Sequence, residues 1–102
     1  MKSLDSYAEH GDLELINHLL ENYSWTDVDI DYAFCLAAEN GHLKVVEVLL
    51  DHGADLQAGD NYAIENAREN GHSEVVTYLY GKLLQLSVQK AYNNHKFERT
   101  SS

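Results

Sequence analysis

The sequence contains no proline, a single cysteine, a single tryptophan, and only 7 Lys+Arg against 17 Asp+Glu in 102 residues. With Cys35 alone, an internal disulfide framework is excluded, which suits a reducing compartment. The shortage of basic side chains leaves a formal net charge of −10. Such a field repels nucleic-acid phosphates and anionic membrane surfaces and favours basic partners. Long apolar runs are missing as well. The longest uncharged apolar stretch, residues 32–38, is far short of the ~20 residues that cross a bilayer, and the first 20 residues hold nothing like the apolar core of an export signal. These absences lead to the expectation of a soluble cytoplasmic protein.

What is present suffices for folding. The hydrophobic fraction is 44%, ordinary for a globular domain, and a chain of this length buries roughly 65% of its unfolded surface. Charge is uneven along it. Residues 1–80 carry 16 acidic and 3 basic side chains, a balance of −13, whereas residues 81–102 set Lys82, Lys90, Lys96 and Arg99 against Glu98 alone, a balance of +3.

An internal repeat organises most of the chain. Residues 31–50 and 61–80 share Tyr32/Tyr62, Ala33/Ala63, Ala37/Ala67, Glu39/Glu69, Asn40/Asn70, Gly41/Gly71, His42/His72, Val45/Val75, Val46/Val76 and Leu49/Leu79. A weaker copy lies 30 residues earlier, where Ala8, Glu9, Gly11, Leu15, Ile16, Leu19 and Leu20 stand opposite Ala38, Glu39, Gly41, Val45, Val46, Leu49 and Leu50. A fixed period of this size signals a stack of small supersecondary units. Within each copy, Asp31 and Asn61 are expected to cap a first helix, and Gly41 and Gly71 to end it in the left-handed conformation. Val45, Val46, Leu49 and Leu50 then form one apolar face of a second helix. Helices this short need neighbours to be stable.

Residues 37–55, with an alanine pair, a Gly41-His42 turn, the Val45-Val46 and Leu49-Leu50 pairs and a closing Gly53-Ala54-Asp55, resemble an ankyrin repeat. The resemblance is strongest in the middle copy and covers about 80 residues. It implies an all-α ankyrin-repeat solenoid of about three helix-turn-helix repeats with short loops and a C-terminal capping helix. The expected domain spans residues 1–92, with repeats near 1–28, 29–58 and 59–82, a cap over 83–92 and a flexible tail over 93–102. Residues 84–88 alternate in polarity and also suit a strand. The period of 30 is shorter than the family's usual 33, so the fingers between repeats are expected to be short. Repeats of this Asn/Asp-Tyr-Ala kind look like those of giant viruses of amoebae and some of their hosts; a viral origin would put the protein in the host cytoplasm.

Catalytic signatures are scarce. Gly-x-Ser-x-Gly, His-Glu-x-x-His, a phosphate-binding glycine loop and Cys-x-x-Cys are all missing. Glu39-x-x-His42 and Glu69-x-x-His72 mimic a two-metal motif, but a glycine interrupts each at a helix end. The resemblance gives these histidines the work of tying consecutive repeats together. Cys35, between Phe34 and Leu36, reads as a small buried hydrophobe, and His10, His18, His52 and His95 as solvated side chains. Tyr32 and Tyr62 read as packed contacts between repeats, and Trp25 as a seal between the first two. No enzyme, metal or cofactor is expected.

The resemblance also locates a candidate site. In the ankyrin arrangement, the two residues before the turn glycine face the concave groove, which selects Glu9, Glu39 and Glu69 with His10, Asn40 and Asn70. Beside them stand the helix starts Asp31 and Asn61 and the finger residues Trp25, Asp27, Asp29, Asp55 and Asp60. An aromatic next to carboxylates suits an arginine-bearing partner. The expected function is non-catalytic protein binding to a basic partner through an acidic concave face. The alternative is a small acidic inhibitor, such as an immunity protein, viral antagonist or nucleic-acid mimic, that blocks the basic site of another protein. Neither nucleic acid nor membrane is an expected partner, and an imperfectly capped end offers a weak homodimer contact.

Overall fold

The computed structural model describes the backbone of residues 4–101 and the side chains of residues 4–90. The expected flexible tail over 93–102 lies outside the described side chains. Each copy of the repeat forms a helix pair: α1 (Leu4–His10) with α2 (Leu13–Asn22), α3 (Asp27–Glu39) with α4 (Leu43–Asp51), and α5 (Ala58–Glu69) with α6 (Ser73–Ser101). First helices stack in one layer, α1 on α3 and α3 on α5, while second helices stack in another, α2 on α4 and α4 on α6. This is the expected all-α solenoid of three repeats, and the described residues contain no strand.

The apolar periodicity of each helix supplies the core between the layers. Leu4 and Ala8 of α1, Ala33, Phe34, Ala37 and Ala38 of α3, and Ala63, Ile64 and Ala67 of α5 are buried; so are Ile16, Val45, Val46, Leu49, Val75 and Leu79 of the second helices. Small alanines on the first helices let their backbones approach closely, and branched side chains on the second helices fill the space behind them. Leu15, whose equivalents Val45 and Val75 are buried, is 38% exposed.

Glycine closes each first helix as the sequence indicates. Gly11, Gly41 and Gly71 have φ of 74°, 77° and 76°, and each turn makes the paired hydrogen bonds of a Schellman motif, such as Gly41 N–H to the Ala38 carbonyl (3.1 Å) and His42 N–H to the Ala37 carbonyl (2.9 Å). The glycine has a second use. A β-carbon on Gly11 would lie 2.5 Å from the His42 ring, and one on Gly41 would lie 2.5 Å from the His72 ring. Each histidine thus rests on the glycine of the preceding repeat. From there His42 donates Nε2–H to the Glu9 carbonyl at 2.9 Å. At the next joint Asn70 donates to the Glu39 carbonyl at 3.2 Å. In the first copy Asp12 stands at this position, and its carboxylate caps α2 by accepting from Leu15 N–H (3.2 Å).

Three expectations are corrected. The first is the start of α3, which begins at Asp27 because Thr26 and Asp29 form a reciprocal capping box. Asp31 therefore lies inside the helix, where its carboxylate accepts from Asp55 N–H at 2.7 Å and holds the short finger in place. Asn61 does not cap either. Gly59, Asp60 and Asn61 have φ of 62°, 58° and 69°, a left-handed turn that reverses the chain in the few residues the short period allows, and the enclosed Asn61 Oδ1 has no partner. Third, Tyr32 and Tyr62 are 56% and 51% exposed; the buried alanines beside them bring the helices too close for an interposed ring. Residues 83–92 are helical, as the capping-helix expectation has it. They continue α6, so the strand alternative for 84–88 fails, and of their described apolar side chains only Leu83 packs on the core.

The stacking account separates two otherwise equal substitutions. Gly41→Ala and Gly71→Ala impose the same left-handed strain, about 1 kcal/mol, but nothing lies within 4 Å of a β-carbon on Gly71. Urea denaturation is expected to show Gly41→Ala costing a further ~1–3 kcal/mol as the His72 ring is displaced. Equal losses would contradict the double role of Gly41.

Candidate functional site

The expected site residues fall into two groups at opposite ends of the first helices, separated along α3 by about 18 Å at 1.5 Å per residue. One group sits at the helix ends. Glu9, Glu39 and Glu69 occupy the last turns of α1, α3 and α5, and because these helices are neighbours the three positions form a row. The residues after them are already engaged. His10 donates Nδ1–H to the Ser6 carbonyl (2.9 Å), and the side chains of Asn40 and Asn70 donate to the Leu36 (2.8 Å) and Asn66 (3.0 Å) carbonyls. The two asparagine amides share their carbonyls with backbone donors, since Leu36 also accepts from Asn40 N–H (3.1 Å) and Asn66 from Asn70 N–H (3.0 Å).

The glutamates have no such employment. Among the described residues, their carboxylates form no hydrogen bond or ion pair. They also stand where the helix macrodipole is negative, so their charge adds to that of the exposed peptide carbonyls. Glu9 and Glu69 are exposed and Glu39 is half-buried. Of the described cations near these helix ends, Arg68 pairs with Glu65 and also feels the charge of Glu69, while Lys44, in a cleft with Gly11 and Gly41, pairs with Glu47. The row thus sets three carboxylates on the ends of neighbouring helices.

The second group surrounds the helix starts, where carboxylates are favoured by the dipole and already in use. Asp29 accepts from Thr26 N–H (3.3 Å) as half of the capping box, Asp31 holds Asp55, and Asp55 accepts from Gln57 N–H (2.9 Å). Asp27 is exposed at the first turn of α3, while Asp60 and Asn61 belong to the left-handed turn before the body of α5. Trp25 packs on the core and donates its indole N–H to the Leu19 carbonyl at 2.9 Å, sealing the join of the first two repeats. One edge of it still lines a cleft with Leu4, Asp5, Asp29 and Tyr32. Sequence reasoning missed Asp5 and Thr26, although Thr26-x-x-Asp29 has the spacing of a capping box.

Nucleophilic chemistry finds no support in Cys35. It is half-buried against the core, and burial, followed by the charges of Asp31, Glu39 and Asp55, pushes its thiol from 9.0 up to about 11. The folded state holds the proton more tightly than the unfolded chain. The corresponding stability is therefore present below about pH 9 and is lost as pH rises through about 11. No group of three His, Cys, Asp or Glu suited to a metal occurs among the described residues. With thiolate reduced about a hundredfold, iodoacetamide at pH 8 should label native Cys35 about a hundred times more slowly than in denaturant; equal rates would overturn this placement of the thiol.

A family model for ankyrin repeats, in three copies, matches residues 4–90, and no curated protein matches the chain. Ankyrin repeats are generally protein–protein interaction modules, and the family is typically non-catalytic. Among the described residues, no helix is long and apolar enough to cross a membrane. The match spans all three helix pairs, each with its turn glycine and stacked second helix, and the chain belongs to the ankyrin-repeat family.

Proposed function

We propose that this chain is a non-catalytic binding module for a basic protein surface, and that Glu9, Glu39 and Glu69 carry the contact. The observation behind this reading is that three unengaged carboxylates recur at helix C-termini, where folding gains nothing from them and the macrodipole opposes them. A row spaced by the repeat and held on rigid helices loses little ordering entropy when it meets a complementary row of cations. His10, Asn40 and Asn70 flank it. The cleft between Trp25 and Tyr32, with Asp5 and Asp29 at its rim, offers a second contact of another kind, in which a guanidinium stacks on an aromatic face beside carboxylates. Asp27, Asp55, Asp60 and Asn61 add to the negative surroundings of that cleft.

The small size and the acidity also support a narrower form of the reading, in which the chain occupies the basic active-site or nucleic-acid groove of its partner. Competition with nucleic acid for that partner distinguishes inhibitor from adaptor, since simultaneous binding excludes the inhibitor. The lone cysteine and the acidic charge fit a cytoplasmic setting for either role.

Replacing Glu9, Glu39 and Glu69 together by Gln separates binding from folding. Against a panel of arginine-bearing peptides read by fluorescence anisotropy, the native chain should bind more weakly as salt rises from about 50 to about 300 mM. The triple variant should lose at least tenfold in affinity and most of that salt dependence, with its thermal midpoint unchanged or raised. Native affinity in the variant, or selection of uncharged peptides, contradicts the proposal.

A further inference from the structure

The helix α6 outruns the stack that supports it. Leu83 is its last described side chain packed on the core; every residue from Leu84 to Lys90 is exposed, yet the helix continues to Ser101. A projecting helix of this length is marginal in water when nothing lies beside it. It nevertheless presents Leu84 at 66% and Val88 at 64% exposure. These two are one helical turn apart on the same face, and with Gln85 and Gln89 they line a shallow groove. Gly81, three residues before Leu84 on that face, lies within the helix, and a β-carbon there would meet nothing within 4 Å. Glycine at such a place costs about 1 kcal/mol relative to alanine, and no contact in the described chain requires it. It leaves room for a second backbone.

Charge identifies the occupant. Residues 1–80 carry −13 and residues 81–102 carry +3, so the region around the projecting helix complements the body of another copy of the same chain. We propose that the Gly81–Leu84–Val88 face of α6 pairs with the same face of a second copy, antiparallel about a two-fold axis. In that orientation the basic C-terminal segment of each copy lies toward the acidic stack of the other, and the two helix dipoles oppose. A parallel pair would set two acidic stacks side by side. The same patch serves both partners, as a closed two-fold dimer requires. The sequence-level expectation of a contact through one end of the stack thereby acquires definite residues, separate from the proposed acidic row.

Sedimentation equilibrium over a concentration series tests this. The native chain should rise from 11.5 kDa toward twice that mass, and added salt should weaken the association. Leu84→Asp combined with Val88→Asp should raise the dissociation constant at least tenfold while the thermal midpoint is retained. Gly81→Ala, which fits the isolated helix, should weaken the dimer without destabilising the monomer. A native mass that stays monomeric up to about 1 mM overturns the proposal. So does a doubly substituted variant that dimerises like the native chain, a dimer strengthened by salt, or growth beyond two copies. Loss of arginine-peptide binding would leave these masses unchanged, so the two readings fail separately.

Discussion

The structure depends on a ring resting on a glycine. His42 lies against Gly11 and reaches the Glu9 carbonyl, and His72 lies against Gly41; the apolar core alone does not fix one repeat over the next with that directness. A buried layer of alanine and valine is slippery, because many small shifts conserve its apolar contacts. A hydrogen bond from a fixed ring to a fixed carbonyl admits only one register. The requirement falls on both partners, since the glycine must adopt a left-handed conformation to end its helix and must lack a side chain to admit the ring.

Register gives the acidic row its meaning. Side chains at equivalent positions recur at regular intervals only if each joint holds its register, and here the backbone carbonyls of Glu9 and Glu39 are themselves acceptors of the inter-repeat bonds, from His42 at one joint and Asn70 at the other. Structural duty and surface chemistry occupy the same residues, divided between main chain and side chain. The acids at the helix starts present a different economy. Asp29 caps, Asp31 holds a finger, and Asp55 shapes a turn. Composition counts all seventeen carboxylates equally; geometry separates those that fold the chain from those left for something else.

The spacing of Gly11, Gly41 and Gly71, together with the valine and leucine pairs, made the helix pairs, their order and their buried faces readable, because a 30-residue identity pattern has few physical causes. Helix starts were harder to read. Asp31 looked like a cap because capping residues and tertiary acceptors have the same chemistry, and only the fold shows that its partner is 24 positions away at Asp55. The left-handed turn at Asp60 and Asn61 arises from the length of the connection, which local propensity does not contain. Tyr32 and Tyr62 misled because recurrence at one position reflects shared ancestry as well as packing. Residues 83–92 carried a leucine-rich pattern that suited a capping helix and they are helical, although of their described side chains only Leu83 packs on the core. Of the candidate site, the row of glutamates was legible from the period, whereas the cleft lined by Asp5 and Tyr32 depends on two helices meeting and was not.

The joint between the first two repeats bears the central claim, and it leaves a signature on one side chain. Because a carbonyl only accepts, the bond to Glu9 requires His42 to carry its proton on Nε2. Nitrogen-15 NMR of the imidazoles should show His42 locked in the Nε2–H form with that proton shielded from exchange. Tautomers averaged at His42 as in a freely solvated ring would mean that the repeats are not held by this contact.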